Sequence, residues 1–296
     1  MKILITGANG LLGYKLVQLL SKQPDIQTIA TGRRKISDLP PHVSFSELDI
    51  TDRLQTENVV SQLKPDVIIN TAAMTQVDQC ETERDACWKV NVTGVENLIA
   101  ACQKTQTHLV HVSTDFIFDG SHGPLDESAA PNPVNFYGES KLAAEKVLQQ
   151  SSIGWAILRT VLVYGVTPDM SRSNIVLWVK KSLEDGKTIN VVNDQWRTPT
   201  LAEDLAMGCY LAAKKKAVGI YNISGEEIMT PYDIAIQTAD FFKLNKSFIH
   251  ATDSSKFKQP AARPLKTGFI VTKAKRELGY QPHLFKEGLA LMAAQL

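Results

Sequence analysis

Tyr137 and Lys141 stand four residues apart in NFYGESKLAAEKVL, a spacing that puts both side chains on one face of a helix. A free tyrosine titrates near pH ~10 and is a poor acid or base at neutrality. A neighbouring ammonium stabilises the phenolate and lowers that value, which is how such a pair is tuned for general acid–base catalysis. Thr114 closes the apolar run HLVHVST, where its hydroxyl is placed to hydrogen-bond the same substrate oxygen. The same residues also suit a solvated Tyr–Lys pair and a threonine that starts a helix. What separates the two readings is the set of elements that would hold them.

The first such element is LITGANGLLGYKLVQLL, residues 4–20. KILIT (2–6) has the continuous apolar character of a parallel strand covered on both faces. Gly7, Gly10 and Gly13 follow at a spacing of three, and Leu11, Leu12, Leu16, Leu19 and Leu20 then recur near helical spacing. Glycine tolerates the angles of a tight turn and lets phosphate approach main-chain N–H groups with no Cβ between them. The helix N-terminus supplies free donors and a partial positive charge. A strand, a glycine turn and a helix in that order predict the opening of a dinucleotide-binding βαβ unit.

Alternation continues along the chain. Strand-like runs cover 25–32, 43–50, 65–73, 108–118 and 155–165, with helical patterns over 53–63, 82–104 and 139–150. The expected fold is therefore α/β, a doubly wound parallel sheet of the Rossmann type with a smaller C-terminal α/β substrate domain. The division expected is 1–165 and 166–296, with about 188–222 returning to the first domain. The second strand ends Thr31-Gly32-Arg33-Arg34-Lys35, with no acid until Asp38. An acid at this point would hold the ribose hydroxyls of NAD, whereas arginine accommodates a 2′-phosphate. Arg33 and Arg34 thus predict a preference for NADP(H) with NAD(H) still accepted, the alternative being a solvated basic loop.

Composition removes other classes. Among 296 residues, 32 Lys and Arg balance 31 acids, so the net charge of +1 offers no field for nucleic acid or an anionic membrane. No apolar run approaches the roughly 20 residues of a membrane helix. The opening MKILITGAN turns polar by Thr6, too early for a secretion signal. Cys80, Cys87, Cys102 and Cys209 show neither CxxC pairing nor zinc spacing, so reduced packed thiols, a cytoplasmic location and no metal are expected.

TGANGLLG, NTAAMT, the STD triplet and YGESK together resemble the extended short-chain dehydrogenase/reductases. STDFIFDG, ILRTVLVYG, NDQWRTPT and AEDLA narrow the resemblance to the dTDP-4-dehydrorhamnose reductase family across most of the chain. The resemblance implies a catalytic set of Thr114, Tyr137 and Lys141, the last two also touching the cofactor. It implies a cofactor site of Gly7, Gly10, Leu11, Leu12, Gly13, Arg33, Arg34, Asp49, Ile50, Ala72 and Ala73, with Asp49 and Ile50 by the adenine. Thr114, Asp115, Trp196 and Arg263 would face a nucleotide-linked sugar, with a place in the core as the alternative for Trp196. Arg263 would take its pyrophosphate through a bidentate guanidinium, with a structural surface arginine as the alternative.

The activity so implied is NAD(P)H-dependent reduction of the C4 ketone of a nucleotide-linked 6-deoxy-4-keto sugar; a homodimer is left open. Two positions depart from the family pattern: Leu162 stands where an aromatic is common, and Arg197 where many relatives have a small residue. Phe116 after Thr114-Asp115 counts against a 4,6-dehydratase, which carries Glu at that place. A 4-epimerase sharing the same triad is an alternative. Another is a non-catalytic NADP-binding regulatory subunit resembling that of methionine adenosyltransferase.

Overall fold

The computed structural model describes residues 1–36, 39–168 and 174–296; Asp38 lies outside them. In chain order the first body is β1 (Lys2–Thr6), α1 (Leu11–Leu20), β2 (Gln27–Gly32), β3 (Ser44–Glu47), α2 (Arg53–Leu63) and β4 (Val67–Asn70). It continues through α3 (Val77–Thr82), α4 (Arg84–Trp88), α5 (Gly94–Thr105), β5 (His108–Thr114), α6 (Phe136–Gln149) and β6 (Trp155–Thr160). Then come β7 (Val163–Tyr164), α7 (Ile175–Glu184), β8 (Ile189–Val192), β9 (Thr200–Leu201), α8 (Ala202–Lys215) and β10 (Gly219–Asn222). α9 (Pro231–Phe242), β11 (Ile249–Thr252), α10 (Thr272–Leu278) and α11 (Phe285–Ala293) complete the chain.

Seven parallel strands form the main sheet in the order β10-β6-β5-β4-β1-β2-β3. Ile3, Leu4, Ile5, Ile68, Ile69, Leu109 and Val110 are fully buried, because helices cover both faces. α1, α8 and α10 pack one face, and α2, α5 and α6 the other. Strand order reverses between β1 and β4, so their C-terminal ends open a crevice at the topological switch point. β8 pairs with β11 in a separate two-stranded sheet packed against α7 and α9, while α8 and β10 return to the main body.

Local chemistry moved several predicted boundaries. The helix predicted over 82–104 is broken at Glu83 and then wound as a π-turn over Lys89–Thr93 before α5. That extra residue in the turn carries Asn91 inward, where its Nδ2 reaches the Met74 carbonyl and Ser140 Oγ, both at 3.0 Å. α6 starts before the predicted 139, since Asn135 caps it by accepting the Gly138 N–H at 2.8 Å. The run 155–165 divides into β6 and β7 at Leu162, whose φ of 38° lies in the left-handed region. All four cysteines are buried free thiols. Among the described residues no helix is long and apolar enough to cross a membrane.

Candidate active site

Each glycine of the opening turn has a separate physical reason. Gly7 has a φ of 66°, and a Cβ there would sit 2.9 Å from the Ala72 nitrogen, so it permits both the turn and its approach to the end of β4. A Cβ on Gly13 would run into the Gly7 carbonyl, so Gly13 lets α1 lie close to the turn. Gly10 differs: its Cβ would meet only the Gly7 oxygen, at 3.4 Å, and otherwise open space. The Leu11, Leu12 and Gly13 N–H groups belong to a first turn with no intrahelical acceptor. No side chain caps Gly10, and the turn carries no acid. This is an anion cradle with room on its open side, and it fits the pyrophosphate of a dinucleotide.

β2 ends beside the cradle. Asn9 Nδ2 donates to the Arg34 carbonyl at 3.1 Å, tying the basic loop to the glycine turn. Arg33 and Arg34 are exposed, and among the described residues neither forms an ion pair. Asp49 is partly spoken for: its Oδ1 accepts the Thr51 N–H at 2.9 Å and the Thr51 hydroxyl at 2.8 Å. Ile50 is buried against Gly94, and its carbonyl accepts Asn97 Nδ2 at 2.9 Å. Ala72 and Ala73 are partly exposed just beyond β4, with Ala72 against Gly7.

Thr114 is the last residue of β5, followed by a single 3₁₀ turn over Asp115–Ile117. The Phe116 carbonyl of that turn presses on Gly138, and a Cβ at Gly138 would overlap it. That close approach lets the first turn of α6 bring Tyr137 against Phe116, ring centroids 5.8 Å apart and edge-on. Thr114 Oγ1 pairs with the Tyr137 hydroxyl, accepts the Phe116 N–H at 3.2 Å and donates to Asp115 Oδ1 at 3.1 Å. Tyr137 is only 8% exposed, packed with Cys80 and Cys87 and flanked by Met74.

One expectation is corrected. The Lys141 cation does not lower the Tyr137 pKa in this structure. Burial raises it above the ordinary range, the Thr114 hydrogen bond opposes that, and the nearby Asp115, Cys80 and Cys87 charges raise it further. The Lys141 amine has instead turned to the sheet, 2.7 Å from the Val112 carbonyl oxygen and 3.2 Å from His111 Nε2. Burial brings its pKa down to about 8.

The expected substrate-side residues divide. Asp115 is buried and held by Thr267 Oγ1 at 2.5 Å and by Arg197 Nε at 3.7 Å. Arg197, 4% exposed, donates to the Pro264 and Leu265 carbonyls at 2.6 and 3.0 Å, so this departure from the family pattern points into the protein. Trp196 is 39% exposed and lines a half-open cavity of about 230 Å³ with Gly123, Pro124, Ile228, Lys266 and Gly268. Arg263 forms a two-point ion pair with Asp78. A larger cavity of about 420 Å³ around Tyr232 and Gln237 holds none of these groups, so it is not the chemical site. Among the described residues no three His, Cys, Asp or Glu side chains gather as metal ligands. His111, Asn70 and Asp78 were missed from sequence; a polar His111 inside a buried apolar strand was the only available signal.

The chain matches, over residues 1–296, the family model described as RmlD substrate binding domain. It is 33% identical over 300 residues to a dTDP-4-dehydrorhamnose reductase of Aggregatibacter actinomycetemcomitans, covering 97% of both chains. It is 31% identical to the methionine adenosyltransferase 2 subunit beta of Mus musculus over 86% of this chain and 76% of that one. The crystal structure of a dTDP-4-dehydrorhamnose reductase from Bacillus anthracis in complex with NADP superposes with a TM-score of 0.85 at 28% identity, covering 100% and 99% of the two chains. With the glycine cradle, the Thr114–Tyr137 contact and the seven-stranded parallel sheet in one body, the chain belongs to the RmlD family of extended short-chain dehydrogenase/reductases.

Proposed function

We propose that this protein reduces the C4 ketone of a nucleotide-linked 6-deoxy-4-keto sugar, in the manner of a dTDP-4-dehydrorhamnose reductase, with NADPH preferred to NADH. The observation that carries the reading is the Tyr137 hydroxyl paired with Thr114 at the end of β5, on the same sheet edge as the glycine cradle. Reduced nicotinamide, when bound, supplies the hydride. Leu11, Leu12 and Gly13 offer main-chain N–H groups to the pyrophosphate, and Arg33 and Arg34 meet a 2′-phosphate. Ala72 and Ala73 line the path from the cradle towards Met74 and Tyr137.

Tyr137 is the proton donor. Its raised pKa keeps the hydroxyl protonated at neutral pH, as a general acid requires, and it delivers that proton to the C4 oxygen as the alkoxide forms. Thr114 accepts from or donates to the same oxygen, and Asp115 fixes the rotamer of Thr114 by taking its hydrogen in the unliganded state. Lys141 holds the nicotinamide ribose. Trp196 forms a wall of the sugar cleft, and Arg263 meets the nucleotide pyrophosphate once Asp78 is displaced. The chain divides at about residue 165 into cofactor and sugar-nucleotide regions, and a cytoplasmic homodimer completes the proposal.

The test is NADPH oxidation with a panel of 4-keto sugar nucleotides, the dTDP-linked 6-deoxy sugar first. Reduction of that substrate, with the alcohol recovered as product, is the expected result. NADPH binding without oxidation on any member of the panel would instead support a regulatory subunit, the reading favoured by the 31% identity to the methionine adenosyltransferase subunit.

A further inference from the structure

The orientation of one buried amide decides where a proton sits beneath the active site. The Ala72 N–H is shared between Asn70 Oδ1 and Thr6 Oγ1, at 3.3 Å from each, and the Thr6 hydroxyl donates to the same amide oxygen at 2.5 Å. A main-chain N–H can only donate, so the amide atom turned towards it is the oxygen. Asn70 Nδ2 therefore faces His111 Nδ1, 3.0 Å away, and as a donor it needs a lone pair there. A neutral imidazole with its lone pair on Nδ1 carries its hydrogen on Nε2. That Nε2 lies 3.2 Å from Lys141 Nζ. An imidazole N–H and an ammonium are both donors and do not pair, whereas an imidazole N–H and a neutral amine do.

His111 does not resolve the conflict by charging. A second proton would set an N–H against Asn70 Nδ2. Burial and the adjacent Lys141 also hold the imidazole well below its ordinary pKa. Lys141 meanwhile keeps one of its own hydrogens on the Val112 carbonyl.

We infer that His111 is a positioning residue for Lys141. Its Nε2–H disfavours the lysine ammonium and draws the neutral form back onto β5, and that neutral form takes one proton from solvent on moving to the cofactor ribose. The step balances as amine plus proton giving ammonium, with no other reactant. It rests on the cofactor reading above.

The groups around Lys141 pull in opposite directions. Burial disfavours the ammonium; Glu145 on α6, Cys87 on α4 and Cys80 on α3 favour it. Glu145 is largely committed to Arg159 of β6, at 2.7 Å with both side chains buried, which weakens its hold on the lysine. Tyr137 on α6 and Asp115 after β5 complete the titratable surroundings. Asn70, through Thr6, joins the assembly to the strand that opens the glycine cradle, so Lys141 and the pyrophosphate turn share one buried polar chain.

The experiment has two arms. In the unliganded protein, ¹⁵N-histidine NMR from pH 6 to 9 reads the His111 tautomer, with His111→Leu identifying the resonance. A hydrogen on Nε2 and none on Nδ1 is expected; an Nδ1–H tautomer or a doubly protonated ring overturns the inference. In the second arm, NADPH binding is measured calorimetrically at pH 8.5 in two buffers of different ionisation enthalpy. With Lys141 starting near a pKa of about 8 and ending near its ordinary value, roughly three-quarters of a proton should be taken up per NADPH. Lys141→Met should abolish the uptake, and His111→Leu should reduce it by half or more. Zero uptake in wild type, or full uptake in folded His111→Leu, overturns the role of His111. If NADPH does not bind at all, the proposed function fails, while the tautomer still decides this inference on its own.

Discussion

Arg263 closes on Asp78 across 185 residues of chain, Nη1 to Oδ1 and Nη2 to Oδ2, each at 2.8 Å. Asp78 Oδ1 also accepts the Ala261 N–H at 3.2 Å, and Arg263 Nη1 donates to the Ala261 carbonyl at 2.7 Å. Arg263, through its hydrogen bonds to Asp78, holds that carboxyl below its usual range. The contact straps the segment entering Pro264–Thr267 to α3, and it also places a carboxylate where a guanidinium would otherwise take phosphate oxygens. These two roles predict different outcomes.

If Asp78 stands in for a substrate anion, Asp78→Asn should lower KM for the sugar nucleotide several-fold, since the amide keeps the Ala261 contact and releases the charge. Arg263→Ala should raise KM about ten- to a hundredfold with kcat less affected, the range expected for losing a charge-assisted hydrogen bond. Equal rises in KM for both variants would show that the pair is a strap and nothing more. Steady-state kinetics against sugar nucleotide, at saturating NADPH, distinguishes the cases.

Cofactor choice is tested at Arg33, exposed and unpaired among the described residues. Arg33→Ala should weaken NADPH binding by about ten- to a hundredfold and leave NADH binding nearly unchanged, because only the former carries the 2′-phosphate. Fluorescence titration of both cofactors measures it. Wild-type affinities that are equal for the two would defeat the proposal.

Gly10 provides a sharper test of the cradle than either of its neighbours. Gly7 and Gly13 are needed for the turn itself, so replacing them confuses folding with binding. At Gly10 the backbone has φ −79° and ψ 168°, which any residue adopts, and the added Cβ meets mostly open space. Gly10→Val should therefore fold with an unchanged melting temperature, to within a few degrees, and lose NADPH binding. A folded variant with wild-type affinity would show that the open side of the turn is not where phosphate lies.

The legible part of this site was the part made by local geometry. A glycine turn needs glycines within one stretch of chain, and Tyr137 and Lys141 share a helix face, so both could be read from spacing. The parallel sheet was legible because its strands are buried on both faces and read as unbroken apolar runs. Asp78 with Arg263, and Lys141 with His111, are joined only by the fold, and no periodicity relates their positions. Arg197 stood out in the sequence only as a departure from the family pattern, and its use on the buried carbonyls of Pro264 and Leu265 is likewise made by the fold. The π-turn at Lys89–Thr93 hid inside a helical pattern that it does not interrupt.

Turnover and its pH dependence follow from two opposite shifts. Tyr137→Phe removes the proposed proton donor and keeps the ring, so single-turnover NADPH oxidation should slow by about 10²–10⁴ with cofactor affinity little changed. The Tyr137 pKa is raised, so its hydroxyl stays protonated across the neutral range. The Lys141 pKa is lowered to about 8, so its ammonium is lost as pH rises through that value. kcat/KM for NADPH, which reports groups of the free enzyme, should be level below pH 8 and fall about tenfold per pH unit above it. Cys87, brought to about 7 chiefly by its hydrogen bond with Cys80, favours the Lys141 ammonium, so Cys87→Ser should keep the break and move it to lower pH. A profile level to pH 10 would remove Lys141 from cofactor capture.

Arg197 predicts a stability effect rather than a kinetic one. Its guanidinium satisfies the carbonyls of Trp196, Leu265 and Pro264 and lies 3.7 Å from the buried Asp115 carboxylate. Burial raises the Asp115 pKa, and the Arg197 charge is the largest influence opposing that rise. Arg197→Ala takes the donor from the Pro264 carbonyl and the counter-charge from the Asp115 carboxylate, and removing one partner of a buried pair typically costs about 3–5 kcal/mol. At 3.7 Å the ion pair is long, and the Trp196 and Leu265 carbonyls keep the Thr267 and Trp196 N–H groups at 3.2 and 2.6 Å, so the rest of this loss belongs chiefly to the Pro264 carbonyl. Asp115→Asn in the same background removes the unpaired charge but does not restore a donor to the Pro264 carbonyl. The double variant should therefore regain only part of the loss in urea denaturation, with the remainder unchanged between pH 6 and 8. Full recovery in the double variant would mean that the ion pair, and not the strap of carbonyls over Pro264–Leu265, is what Arg197 contributes.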